Sequence, residues 1–582
     1  MEHYYTAEKN IQMLIYLMKQ HGVKKVIASP GTTNLTLVAS LQQDPFFELY
    51  SAAEERSAAY MACGLAAESG EPVAISCTGA TASRNYIPGL TEAYYRKLPV
   101  LAITSTQHTG RVGQLVPQVI DRASIQNDIA VLSVDVPSII TADDAWTCNV
   151  RLNAALLALH HRGGGPVHIN LHTAYSKDFS VKSLPDYHVI HRICENDDFP
   201  KIAQKRVAIF VGAHGKWTQS LTEMVDRFCE KYNGIVICDH TSNYHGKYRV
   251  LFSLISSQRY LHTDLNKMEL LIDLGAVSGA YMKLEPREVW RVCPDGKVQD
   301  RFRKLTNLFD MEEEAFFSRY VAAETKDHRT DYYGACVKKY NALYENIKEL
   351  PFSNLWVAKN TAKILPENSV IHFGILNSLR SWNYFDIPSS IDGYSNTGGF
   401  GIDGTLSTLM GASLANPDKL HFGILGDLAF FYDMNAIANR NLKNNLRIML
   451  INNGCGQEFR NYNHPAARLG NDASPYIAAA GHYGNKSRAL VKNYAETLGF
   501  EYLSAENKTE FQACIERFVS PEAQNHPILF EIFTDSRDEN DALLLINETE
   551  PDNPTQTERA IRFAKDVLGE KGIRIAKKVM GK

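Results

Sequence analysis

The stretch LHFGILGDLAFFYDMNAIANRNLKNNLRIMLINNGCGQEF, residues 420–459, decides the fold. HFGILG is a short apolar run that ends in Gly426-Asp427, and a helix-patterned segment leads to a second apolar run, LRIMLI, which stops at Asn452-Asn453-Gly454-Cys455-Gly456. Two runs of strand length joined through a helix predict neighbouring parallel strands buried on both sheet faces. An acid and an amide then emerge at their carboxyl ends, the edge at which open α/β sheets bind ligands. A hard cation such as Mg²⁺ takes oxygen ligands in near-octahedral geometry and shares them with phosphate oxygens. Asp427, the side-chain oxygen of Asn453 and the backbone carbonyl of Cys455 make a half-shell of that kind.

The same rhythm runs outward through the chain. Strand patterns KKVIASPG, PVAISCTG and PVLAITST follow an opening amphipathic helix, RVAIFVGA, GIVICDH and LLIDLGAV form a second group, and SVIHFGI and HPILFEIF flank the deciding stretch. Strands alternating with helices predict an α/β protein of three doubly wound parallel-sheet domains. A length of 582 residues suits several domains. The boundaries read as 1–185, 195–345 and 350–550, followed by a basic helical tail over 551–582 that carries Lys565, Lys571, Arg574, Lys577 and Lys578.

Lys+Arg of 61 against Asp+Glu of 65 gives net −4, without a long run of either sign. Nothing in that balance attracts nucleic acid or an anionic membrane surface, and a small-molecule partner is expected. The amino terminus has Lys9 and Lys19 inside its apolar stretch, unlike an export signal. Ten cysteines without C-x-x-C spacing point to a reduced, cytoplasmic protein with neither zinc nor disulfides. His160-His161 sits at a helix end before a Gly-rich turn and reads as structural.

A second motif lies some 370 residues upstream of the first: Ser29-Pro30-Gly31 after a strand, then Ala53-Glu54-Glu55-Arg56 opening a helix. By itself Glu54-Glu55 is an acidic helix start favoured by the macrodipole. Gly426-Asp427-Leu428, with 24 residues between Asp427 and Asn452, together with this upstream motif resembles thiamine diphosphate-dependent enzymes, although the third residue is Gly in most of them. The resemblance implies thiamine diphosphate and Mg²⁺ as cofactors, with Asp427, Asn453 and Cys455 on the metal. It makes Glu55 the catalytic carboxyl that drives the cofactor's aminopyrimidine into its imino tautomer. It places Gln114, in Gly-Gln-Leu-Val-Pro-Gln, beside the reacting carbon. Thr78-Gly79 becomes the loop facing the pyrimidine, Ile402 in NTGGFGIDG the apolar prop that bends the cofactor, and Ser378, Gly426, Leu428, Ala429 and Gly456 further cofactor contacts. In such enzymes Glu55 of one subunit serves the cofactor of another, which implies a homodimer or a dimer of dimers.

Shared strings over nearly the whole chain, among them GPVHIN (165–170), Asn377-Ser378, GIDG, and G-Q-x-F (456–459), resemble most closely the menaquinone-pathway synthases. These decarboxylate 2-oxoglutarate and add the succinyl fragment to isochorismate. Acetolactate synthases resemble the chain around Gln114 and Pro117. The expected reaction is decarboxylation of a 2-oxo acid with transfer of the acyl fragment to an acceptor. Arginine is suited to buried carboxylates, yet the chain has Thr33 and Thr397 where the menaquinone-pathway synthases carry arginines, and Ala280-Tyr281 where they carry a Lys-Arg pair. Arg380 stands near the place of one remaining clamp. With Phe459 and Arg460 of the loop after the metal motif, Thr33, Arg380 and Thr397 are the candidate substrate contacts. The lost cations predict substrates other than the menaquinone-pathway ones, pyruvate before 2-oxoglutarate. The rival readings are a genuine menaquinone-pathway synthase and a non-catalytic scaffold that keeps the fold.

Overall fold

A computed structural model describes residues 4–122, 125–203, 206–261, 263–323, 331–481, 487–522 and 525–551. The basic tail expected from the sequence, from residue 552 on, lies outside the described residues. By packing, the chain divides into two compact units, Met1–Phe199 with Glu288–Glu312, and Pro200–Arg287 with Glu313–Lys582.

The first unit contains a six-stranded sheet: β1 Lys25–Ala28, β2 Glu48–Ser51, β3 Val73–Cys77, β4 Val100–Thr106, β5 Leu132–Val136 and β6 Val167–His172. Their order is β2-β1-β3-β4-β6-β5, every pairing parallel. All of β3, β4 and β6 is buried, as expected for strands covered on both faces by crossover helices. One face packs on Ile11, Leu14, Ile15 and Met18 of the opening helix Lys9–Gln20. The other packs on Ala58, Ala59, Ala62 and Ala66, the small-residue stripe of helix Glu55–Ser69.

The middle group of strands is divided between the units. In the first unit β7 His191–Ile193 pairs with β13 Leu305–Phe309, and β13 with Val289–Val292 of β12, which spans Glu285–Val292. In the second, β8 Val207–Val211 lies between β9 Gly234–Cys238 and β11 Lys267–Leu274, with β10 Arg249–Leu251 beyond β9.

The second unit also carries β14 Val370–Phe373, β15 Asp392–Ser395, β16 His421–Gly426, β17 Leu446–Asn452, β18 Glu501–Ala505 and β19 Ile528–Phe533. Their order, β15-β14-β16-β17-β19-β18, repeats the topology of the first sheet strand for strand. These are three parallel-sheet α/β arrangements, as the sequence rhythm predicts. The deciding stretch is now explicit: β16 and β17 are parallel neighbours with Gly426 opposite Ile451, so Asp427 and Asn452-Asn453 leave the sheet at the same level.

Candidate functional site

In the first unit, the carboxyl ends of β1, β3 and β4 are tied together by one hydroxyl. Thr33 Oγ1 lies 2.5 Å from Thr78 Oγ1, donates to the Ser105 carbonyl at 3.2 Å, and accepts the Gly79 N–H at 3.0 Å. Gly31 allows this approach: a Cβ there would stand 2.5 Å from Thr78 Cβ, closer than two carbons tolerate. Thr33, 2% exposed, is therefore engaged with the protein and not turned toward a ligand.

Glu54 and Glu55, indistinguishable in the sequence, have different employment. Glu54 is the N-cap of helix Glu55–Ser69 and accepts the N–H groups of Arg56 at 3.1 Å and Ser57 at 2.8 Å. Glu55 is half-buried and accepts from Asn85 Nδ2 at 3.2 Å through Oε2. The capping work falls to one glutamate and leaves the other available for chemistry.

In the second unit, Asp427 opens a short helix at the end of β16 and is 3% exposed. Oδ1 accepts the Leu428 N–H and Oδ2 the Gly454 N–H, each at 2.7 Å. The second bond needs the chain to double back at Gly454, whose φ of 81° suits glycine. Burial pushes the Asp427 carboxyl up to about 6, against the two backbone N–H groups that hold it down. Asn452 donates to Glu531 Oε1 at 2.7 Å and so belongs to the sheet, while Asn453 Oδ1 accepts only the Cys455 N–H at 3.3 Å and the weak Cys455 S–H at 3.8 Å. Burial pushes the Cys455 thiol up to about 11, so its sulfur stays protonated and the carbonyl is the group it offers a hard cation. Among the described residues no three His, Cys, Asp or Glu side chains gather around a metal position. The donor set here is oxygen only, one carboxylate, one amide and one carbonyl, which suits a divalent ion that completes its shell with diphosphate oxygens.

The other candidates from the sequence distribute around these two centres. Gly456 lies against Phe459, whose ring would be 3.0 Å from a Cβ at that position. Ile402 packs on the cluster that includes Leu406 and Phe430. Ser378 is buried on the short helix Asn377–Trp382. Arg380, on the same helix, is ion-paired with Glu458 and keeps Nε unpartnered. Thr397 is buried, and Gly279 approaches it: a Cβ on Gly279 would be 3.4 Å from Thr397 Cγ2 and 2.3 Å from Leu379 Cδ2. The position after Gly279 and those of Arg380 and Thr397 thus share one neighbourhood. Arg460 is spent locally, donating to the Gly470 carbonyl at 2.6 Å and Ser474 Oγ at 3.1 Å.

Gln114 is set apart. It is exposed in a turn closed by its own N–H on the Arg111 carbonyl at 3.1 Å. Gln118, which sequence reasoning passed over, adopts φ 62° and brings its carbonyl to 3.3 Å from a Cβ position on Gly79. The only trace of it in the sequence is the second glutamine of Gly-Gln-Leu-Val-Pro-Gln.

Comparison with known proteins converges on the same chemistry. Residues 9–125 match the family model described as thiamine pyrophosphate enzyme, N-terminal TPP binding domain. A 2-succinyl-5-enolpyruvyl-6-hydroxy-3-cyclohexene-1-carboxylate synthase of Bacteroides thetaiotaomicron is 33% identical over 566 residues, covering 91% of this chain and 96% of its own. Synthases of the same name from Bacteroides fragilis and Phocaeicola vulgatus are each 30% identical, over 91% and 93% of this chain and 97% and 98% of their own. The cofactor is thiamine diphosphate with a divalent metal, usually Mg²⁺, and the oxygen donors around Asp427 fit that pair. With the motif pair, the three parallel sheets and these relatives in agreement, the chain belongs to the thiamine diphosphate-dependent enzymes.

Proposed function

We propose that the protein is a carboligase that decarboxylates a 2-oxo acid and transfers the acyl fragment to an acceptor, and that the pair is the one implied by its relatives' name, 2-oxoglutarate with isochorismate. The observation that carries the catalytic reading is Asp427, buried at a strand end with both carboxylate oxygens aimed by backbone N–H groups. Such pre-orientation fits a metal ligand. Identity of 33% over an alignment that covers 91% of the chain favours the relatives' substrates.

Bound thiamine diphosphate supplies the electron sink for the carbon–carbon chemistry. Asp427, Asn453 Oδ1 and the Cys455 carbonyl would hold Mg²⁺ beside the diphosphate, with the Gly426, Leu428, Ala429, Gly456 and Ser378 positions around them. Glu55 would supply the carboxyl for the pyrimidine ring nitrogen, and Asn85 fixes one of its oxygens. The Thr78-Gly79 turn shapes the surface against the pyrimidine, Ile402 supports the cofactor from its apolar side, and Gln114 or Gln118 approaches the reacting carbon. The protein works as a homodimer or dimer of dimers in the cytoplasm. No helix among the described residues is long and apolar enough to cross a membrane.

A second reading rests on the substrate side. Arg380 is neutralised by Glu458, Thr33 is committed to Thr78 and Gly79, and Thr397 adds no charge beside it. Those contacts favour a donor with one carboxylate, such as pyruvate, and a less charged acceptor. The experiment supplies 2-oxoglutarate and isochorismate, or pyruvate and isochorismate, with thiamine diphosphate and Mg²⁺. Succinyl adduct formed at an ordinary enzymatic rate supports the first reading. CO₂ release from pyruvate alone supports the second, and no CO₂ from any 2-oxo acid sinks both.

A further inference from the structure

Gln457 follows the metal loop of residues 453–456, opens the short helix Gln457–Arg460, and is buried. Both ends of its amide meet one residue. Ser536 Oγ donates to Gln457 Oε1 at 2.7 Å, and Gln457 Nε2 donates to the Ser536 carbonyl at 3.3 Å. A carbonyl can only accept, so this pairing fixes which end of the amide carries the nitrogen. Nε2 also donates to Asn461 Oδ1 at 3.1 Å. A glutamate in this place could not donate to either acceptor, and an apolar side chain could answer none of the three groups.

The tether joins the loops of two neighbouring strands. β17 runs into the metal loop, β19 is its parallel partner with Asn452 opposite Phe533, and Ser536 begins helix Ser536–Asn547 just past the end of β19. Cys455 rests on the same pair of residues. Its sulfur lies 3.9 Å from Gln457 Oε1 and 3.8 Å from Ser536 Oγ, and its N–H is on Asn453 Oδ1 at 3.3 Å. The Cys455 carbonyl and the Gly456 N–H belong to one planar trans peptide unit and point opposite ways. The Gly456 N–H bonds the Ala478 carbonyl at 2.6 Å, which sets that plane from one side. The Gln457–Ser536 pair sets it from the other, through the Cys455 side chain.

We propose that Gln457 is a positioning residue for the metal: by tying its loop to Ser536 it holds the Cys455 carbonyl where a small divalent ion requires an oxygen. Mg²⁺ demands near-ideal octahedral geometry with short bonds, whereas Ca²⁺ accepts longer bonds in flexible arrangements. A firmly held carbonyl therefore matters more to Mg²⁺. The inference rests on the metal assignment made above, in which Cys455 offers its carbonyl to the ion.

The test is calorimetric titration of Mg²⁺, and separately of Ca²⁺, into the full chain with excess thiamine diphosphate. Gln457→Met keeps the length of the side chain and removes its hydrogen bonds. It is expected to weaken Mg²⁺ binding by at least ~10-fold, within the range for groups that orient metal ligands, and Ca²⁺ binding by less, so that the ratio of the two affinities falls. Ser536→Ala deletes one bond with less disturbance, shifts the ratio in the same direction, and decides the matter if Gln457→Met does not fold. Asp427→Ala, which removes a ligand itself, weakens both ions. Equal losses of the two ions in the Gln457 or Ser536 variants, or unchanged Mg²⁺ affinity there while Asp427→Ala loses it, overturns the inference and leaves the metal assignment standing. Undiminished Mg²⁺ binding in Asp427→Ala overturns both.

Discussion

The guanidinium of Arg380 is paired with Glu458, the residue two positions beyond the glycine that closes the metal loop. A cation placed for a donor acid is thereby held by the protein's own carboxylate. Glu458→Gln should release it and raise kcat/KM for 2-oxoglutarate relative to pyruvate by roughly 10-fold, since a partly buried charge pair is worth more than an exposed one. Arg380→Ala should shift the ratio the other way. Steady-state kinetics on both acids decides; a ratio unmoved in either variant means that Arg380 does not face the donor.

Loss of the buried carboxylate should be felt in the metal. Removing groups that merely orient metal ligands costs about 10–100-fold in affinity, so Asp427→Ala should weaken Mg²⁺-dependent cofactor binding by at least ~100-fold. Calorimetry of thiamine diphosphate in saturating Mg²⁺ measures it, and wild-type affinity in the variant would refute the metal assignment.

The two adjacent glutamates should separate cleanly. Glu55→Gln is expected to keep the cofactor and lose about 10²–10⁴-fold in turnover, the range for a proton-transfer group. Glu54→Gln should leave turnover largely intact and lower the unfolding temperature as a weakened helix cap. Hydrogen–deuterium exchange at the cofactor's C2 carbon checks the first, and thermal unfolding the second. Wild-type exchange in Glu55→Gln would remove the assigned role.

Acid should act through His168. Burial and the nearby Arg122 and Arg84 charges lower its pKa to about 3, so the folded protein keeps the ring neutral where the unfolded chain protonates it near 6.5. The unfolded state then binds more protons between those values, and stability present above pH 6.5 is lost as pH falls, by up to ~1.4 kcal/mol per unit. Urea unfolding at pH 7 and pH 4.5 should show a larger drop for wild type than for His168→Gln. Equal drops would show that other groups dominate the acid response.

The fold was legible because both-face burial writes each parallel strand as an apolar run, and the turn residues at β16 and β17 marked the binding edge directly. Asn453 over Asn452 and Glu55 over Glu54 came from resemblance; the physical reason lies in partners, Glu531 for Asn452 and the Arg56 and Ser57 N–H groups for Glu54. Pairings of that reach leave no local pattern. Glu458 stands 78 residues from Arg380, so the sequence displayed a free arginine where the fold has a neutralised one. Gln118 is marked by a left-handed backbone, φ 62°, that a string of side chains does not reveal.

The single hydroxyl of Thr33 that joins Thr78, Gly79 and Ser105 also makes positions 33 and 78 interdependent. A residue without that hydroxyl leaves the Gly79 N–H unanswered and Thr78 with only the Thr33 N–H at 3.4 Å. A change at either threonine is therefore felt at the other, and the loop's shape rests on the pair rather than on one residue.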